Sequence, residues 1–223
     1  MFPCFHRRRF HRSGLSRRRF VAALAAVDSE RPSGVWVHGF NPFPNKVHFT
    51  LGEAAVASGW LGRGVNLLEW DWNRATRASM RPKVNVEAAR GQGERLAASL
   101  IAAGIAPGRT ELIGHSLGCV LAAAAARSWS VQTGERVARV TLLEPLRGNH
   151  EVIFDVEQLA SNADRVENHW SPGPSGFGAP AARPDVVDVR RPGRTPIRGL
   201  ILPHRSNHVD VLRQLLPSEE LFR

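Results

Sequence analysis

A chain of 223 residues has the length of one domain with room for an appendage, and its 43% hydrophobic and 22% charged residues can bury a single sizeable core. No apolar run approaches the ~18 residues that cross a bilayer. Two cysteines, Cys4 and Cys119, exclude a disulfide framework, and neither sits in a cluster of zinc-ligand spacing.

The net charge of +10 is concentrated at one end. Residues 1–19 hold seven arginines and no carboxylate, which leaves 23 basic against 20 acidic groups in the rest of the chain. The body is electrostatically ordinary and has no interleaved basic and aromatic pattern, so no nucleic-acid partner is expected.

Residues 1–30 read as a basic, flexible arm without helical or strand periodicity. Ser16-Arg17-Arg18-Arg19-Phe20-Val21 resembles a twin-arginine export signal. The apolar run that follows, Phe20 to Val27, ends at Asp28 and is at the short end of the ~7–15 residues of a signal's apolar core. A solvated arm on a cytoplasmic protein is expected, with export as the alternative.

From residue 34, short apolar runs alternate with helical patterns. Val35-Trp36-Val37 is a buried strand that ends in His38-Gly39-Phe40, and Val65 to Trp72 is the next strand. A helix fits Val86 to Ala103, closed by Gly104 and Pro107. Glu111-Leu112-Ile113 is a strand entering a glycine turn, and the alanine-rich stretch Leu117 to Trp129 is a buried helix. Val137 to Leu143 is a strand and Asp155 to Ala160 a short helix. Strands at Arg165 to Glu167 and Val186 to Val189 follow, and Val209 to Leu216 is the final helix. Strands alternating with helices imply a mostly parallel sheet covered on both faces, an α/β fold.

Gly114-His115-Ser116-Leu117-Gly118 lies between a strand and a helix. A serine nucleophile at the head of a sheet needs a sharp, strained turn, and glycines two before and two after it remove the side chains that would collide. The helix N-terminus behind it favours a developing oxyanion. An oxyanion hole needs two N–H donors, and Leu117 and Phe40 occupy the right places after the two strands. His38 is expected to support that loop, and His115 to pack beneath the serine.

A base must come from a loop beyond the last strand. His208 in Ser206-Asn207-His208-Val209 fits best and His204 is its rival, whereas His150 and His169 read as polar surface residues. The acid that orients the base comes from Glu144, Asp155, Asp164, Glu167, Asp185 or Asp188. Glu144 ends an apolar strand, where an unpaired carboxylate is costly, which raises its functional standing. Asp185 is the runner-up. Glu69 and Asp71 read as structural strand-end residues.

Val37 to Phe40, Trp70-Asp71-Trp72, Leu112 to Gly118, Arg139 to Pro145 and Ser206-Asn207-His208 together resemble the pancreatic-lipase-like branch of the α/β-hydrolase superfamily, over roughly residues 34–215. The resemblance implies an α/β-hydrolase fold and makes residues 31–223 a single catalytic domain. That family's acid lies in an L-D-P motif, which implies Glu144 in Leu143-Glu144-Pro145. Its histidine follows a Cys-Asn pair, which favours His208 after Ser206-Asn207. No counterpart of that family's lipid-binding C-terminal domain, its disulfides or its calcium site is expected. The short span from Arg191 to His208 implies a minimal or short lid, with Gly199 to Pro203 as one wall of an acyl pocket.

The expected activity is a serine ester hydrolase of lipase or carboxylesterase type. It uses a Ser116, Glu144, His208 triad, oxyanion donors at Phe40 and Leu117, no metal and no organic cofactor. Its partner is a small acyl ester or lipid. The alternatives are a thioesterase or acyltransferase with the same triad, and a catalytically silent lipid-binding protein.

Overall fold

A computed structural model describes residues 27–40, 64–76, 82–145, 159–170, 180–181 and 183–190. Its strands are β1 (Ser33–Val37), β2 (Asn66–Trp70), β3 (Thr110–His115), β4 (Val137–Leu143), β5 (Ala163–Trp170) and β6 (Val187–Arg190). They form one sheet in the order β2-β1-β3-β4-β5-β6, and every neighbouring pair is parallel. Register carries one apolar row across the sheet. Val35 pairs with Leu68 and Leu112, Leu112 with Val140, and Val140 with Val166.

The helices are α1 (Asn73–Thr76), α2 (Pro82–Ala102) and α3 (Gly118–Thr133). β2 returns to the sheet as β3 through α2, and β3 returns as β4 through α3. Both steps run in the same direction across the sheet, so right-handed crossovers put both helices on one face. The core confirms this placement: Leu96, Leu100 and Leu121 join the row of Val35, Leu112 and Val140 in one buried cluster. The helices approach closely at Gly93, where a Cβ would lie 2.5 Å from the Leu121 carbonyl oxygen and 2.7 Å from the Ala124 Cβ. The alanine run of α3 is what makes that crossing possible. α3 ends at Gly134, whose φ of 76° lets its N–H reach the Ser130 carbonyl at 2.8 Å.

Several boundaries differ from the sequence expectation: α3 runs on to Thr133 and β5 spans Ala163–Trp170, each longer than expected. α2 begins at Pro82 instead of Val86, because a proline's missing N–H costs nothing in a first helical turn. β2 stops at Trp70, because the Asp71 Oδ1 accepts the Asn73 N–H at 3.0 Å and turns the chain into α1. Of the expected helix at 155–160, the described part is a 3-10 turn at Leu159–Ser161. The expected arm up to residue 26, the second helical layer, the final helix and the lid region lie outside the described residues.

The opposite face of the sheet is polar at its centre. Thr141 Oγ1 donates to Glu111 Oε1 at 2.6 Å, and Arg165 Nε lies 2.7 Å from Glu167 Oε1, with Arg139 at 3.7 Å. His169 Nε2 stands 2.9 Å from Glu167 Oε2. A carboxylate only accepts, so that ring nitrogen carries the proton. This corrects the reading of His169 as a surface residue: it is 3% exposed. Parallel register sets it two positions beyond Glu167 on the same face, where a buried carboxylate needs a donor.

Burial pushes the Glu111 carboxyl up from 4.5 to about 6, against the hydrogen bond from Thr141 and the charge of Arg139. Desolvation acts on Glu167 too, but its hydrogen bond to His169 and the Arg139 and Arg165 guanidiniums outweigh it and hold the carboxyl at about 2. The native state therefore keeps the Glu111 proton more tightly than the unfolded chain, and stability falls as pH rises from 4.5 to about 6. Glu167 acts oppositely, giving stability that is present above 4.5 and lost as pH falls towards 2. Glu111→Gln, which still accepts from Thr141, removes the first effect. Between about pH 4.5 and about pH 7, urea unfolding of the native sequence should lose about 2 kcal/mol more than that of the variant. Identical pH dependence in the two proteins would show that Glu111 does not titrate there.

Candidate active site

Strand order reverses between β1 and β3, since the chain runs outward from β1 to β2 and then returns past β1. The crevice outside the carboxyl ends of the strands at such a switch point is where open α/β sheets bind ligands. His38-Gly39-Phe40 leaves β1 there and Ser116 leaves β3, because Val37 is paired with Gly114.

Ser116 has φ 52°, a left-handed backbone at a residue with a side chain, and it is 7% exposed. Such a conformation costs about 1–3 kcal/mol and persists only when its surroundings over-determine it. The surroundings here are specific. A Cβ on Gly114 would meet the Gly118 oxygen at 2.6 Å, and one on Gly118 would meet the Val37 oxygen at 2.5 Å. A Cβ on Gly39 would lie 2.9 Å from the Ser116 Cβ. Three close approaches thus wedge the serine between the end of β1 and the first turn of α3. Its N–H donates to the Leu143 carbonyl at 2.9 Å, tying the turn to β4.

Around the turn, His115 stacks on Trp36 with centroids 6.5 Å apart and planes 7° from parallel. It is half-buried against that ring. Cys119, one turn into the structure behind Ser116, is fully buried, and its Sγ reaches the Gly114 carbonyl at 3.2 Å. Burial pushes its thiol far above the usual range, which removes it as a nucleophile.

Leu117 follows the serine in sequence, and Phe40 follows Gly39, whose Cβ position lies 2.9 Å from the Ser116 Cβ. Leu117 has helical angles (φ −62°, ψ −21°) and caps α3, so its N–H belongs to the first turn, where intrahelical acceptors are lacking. Phe40 is partly buried against the core two residues after His38. His38 is a support, not a base. It is 4% exposed, its Nδ1 lies 2.8 Å from the Gly39 carbonyl oxygen, and its Nε2 lies 3.2 Å from the Trp72 backbone nitrogen.

Glu144 lies level with Ser116 on the next strand, since His115 pairs with Leu143. It is 3% exposed and has φ 49°, so β3 and β4 leave the sheet through matching left-handed residues. Its N–H donates to the His169 carbonyl at 2.9 Å. The other described carboxylates downstream of Ser116 lie elsewhere. Glu167 is held by arginines and His169, Asp164 pairs with Arg136 at 3.2 Å, and Asp188 Oδ1 accepts from Asn168 at 2.7 Å. Asp185 pairs with Arg183 at 3.0 Å and precedes β6, whose Val187 is level with Ile113. Asp185 thus sits at the opposite edge of the sheet, about 17 Å from the level of Ser116 at ~3.3 Å per strand residue. Asp155, His150, His204 and His208 lie outside the described residues. Among the described residues, no group of three or more His, Cys, Asp or Glu could hold a metal ion, and no helix is long and apolar enough to cross a membrane.

No protein-family model matches the chain, and no curated protein is similar enough in sequence to count as a match. Solved structures are similar in fold. A predicted CIB-like hydrolase from Thermoplasma acidophilum aligns at TM-score 0.53 and 15% identity, over 85% of this chain and 88% of that one. Thermogutta terrifontis esterase 2 phosphorylated by paraoxon aligns at TM-score 0.50 and 12% identity, over 86% and 84%. With six parallel strands joined by helical crossovers and a left-handed serine at the switch point, the chain has the α/β-hydrolase fold.

Proposed function

We propose that the protein is a serine ester hydrolase in which Ser116 is the nucleophile, His208 the base and Glu144 the acid that orients it. The observation that carries this reading is the left-handed Ser116 wedged by Gly39, Gly114 and Gly118 at the switch point. Strain held by three close contacts beside a helix N-terminus favours presentation of a hydroxyl to a carbonyl over a purely structural turn. The matching left-handed, buried Glu144 on the next strand supports the acid. Its place after β4 also supports kinship with the pancreatic-lipase-like branch. The base is supplied by the sequence pattern Ser206-Asn207-His208.

In the first half-reaction, Ser116 Oγ bonds to the acyl carbon as its proton passes to His208. The carbonyl oxygen takes the charge between the Phe40 and Leu117 N–H groups. The tetrahedral adduct collapses, the imidazolium gives its proton to the departing alkoxide, and the alcohol leaves. Water deprotonated by His208 then attacks the acyl-enzyme, and Ser116 recovers its proton as the acid departs. Glu144 stabilises the imidazolium in both halves.

The test is a nitrophenyl ester series from acetate to palmitate, run beside labelling with a fluorophosphonate and peptide mapping. Hydrolysis with the label on Ser116 is expected. An intact protein that hydrolyses no member of the series and leaves Ser116 unlabelled would favour a silent, lipid-binding role. The series also reports the acyl length the site accepts, which bears on the short-lid expectation.

A further inference from the structure

His38 and Trp72 form a bracket around the backbone of the proposed oxyanion loop. Trp72 Nε1 donates to the His38 carbonyl at 2.8 Å, and the Trp72 backbone N–H donates to His38 Nε2 at 3.2 Å. The two rings stack with centroids 5.8 Å apart and planes 22° from parallel. Trp72 is 2% exposed and the whole bracket is buried. Nε2 also lies 3.5 Å from the Asp71 Oδ1. A carbonyl oxygen only accepts, so the ring nitrogen that faces Gly39, Nδ1, carries a proton. Nδ1–H then donates to the Gly39 carbonyl oxygen at 2.8 Å.

That last bond has a consequence for catalysis. The Gly39 carbonyl and the Phe40 N–H belong to one planar peptide unit, and no peptide bond among the described residues is cis. In a trans unit the two groups point in opposite directions, so fixing the oxygen fixes where the N–H points. A hydrogen bond to the oxygen also polarises the unit and strengthens the N–H as a donor.

We infer that Trp72 and His38 are positioning residues for oxyanion stabilisation: Trp72 holds the His38 ring in place, and His38 Nδ1–H aims the Phe40 N–H at the reacting carbonyl oxygen. The inference rests on the ester-hydrolase reading. It assigns a role in the transition state to a tryptophan 32 residues downstream of Phe40, through these hydrogen bonds alone, since neither Trp72 nor His38 has to touch substrate.

The test compares His38→Leu, His38→Asn and Trp72→Phe with the native sequence. Rates are scaled to the active fraction titrated to completion with a fluorophosphonate, and melting curves confirm folding. Losing an oxyanion donor costs about 10²–10³ in kcat, so His38→Leu should lower kcat by about 10²-fold with KM nearly unchanged. In His38→Asn the side-chain amide nitrogen takes the place of Nδ1, and at least about tenfold of that loss should return. Trp72→Phe keeps the stack, loses one donor and should lower kcat by about tenfold. Trp129→Phe, buried in α3 away from the loop, serves as the control for lost stability alone and should leave scaled kcat unchanged. Three results overturn the inference: kcat unmoved in His38→Leu, equal losses in the leucine and asparagine variants, or variants at both positions that do not fold. A native protein without esterase activity overturns the ester-hydrolase reading itself, which keeps the two failures distinct.

Discussion

Ser116→Ala should lower kcat on a good nitrophenyl ester by about 10⁴–10⁶-fold and abolish fluorophosphonate labelling. The residual rate would be what the oxyanion donors and substrate binding supply on their own. Alanine leaves the backbone problem in place, because the Cβ at φ 52° is retained. Ser116→Gly should be equally inactive yet more stable than Ser116→Ala by about 1 kcal/mol, since only glycine accepts that angle without strain. The pair separates chemistry from architecture. Turnover near the native level in either variant would remove Ser116 from the reaction. Equal stability of the two would show that the turn stores no strain.

The legible parts of this fold were those decided within a few residues. Val137 to Leu143 reads as a strand because an apolar run is bounded by Gly134 and Pro145, and β4 has those limits. The elbow is legible because its glycines act on neighbours two positions away. Trp70-Asp71-Trp72 misleads, since alternating tryptophans look like a strand while the Asp71 side chain turns the backbone. His169 misleads for a different reason. A histidine two residues from a glutamate looks solvent-facing until strand pairing places Arg139 and Arg165 beside the same carboxylate. The bracket of Trp72 on His38 spans 34 residues of chain and has no sequence signature at all. Asp185 shows the same limit. Its spacing before His208 is compatible with an acid, but spacing does not say at which end of a parallel strand a residue lies.

That last point makes the identity of the acid testable by contrast. Glu144→Gln keeps size and hydrogen-bonding capacity but removes the charge that stabilises the imidazolium, and its amide can hold the wrong tautomer of the base. Exchanges of this kind in a Ser-His-acid triad cost about 10⁴ in kcat. A loss of about 10³–10⁴ with little change in KM is therefore expected for Glu144→Gln, measured on the same nitrophenyl ester. Asp185→Asn should stay within about twofold, because Asp185 serves Arg183 at the far edge of the sheet. Glu144→Asp restores the charge on a shorter arm and should recover part of the loss. It also carries the same left-handed backbone, which aspartate tolerates better than most residues. The reverse ranking, with Asp185→Asn crippled and Glu144→Gln active, would demand that the end of β6 approach Ser116, against the register of four paired strands. If both variants stay active, neither carboxylate orients the base, and the acid passes to another of the sequence candidates, such as Asp155.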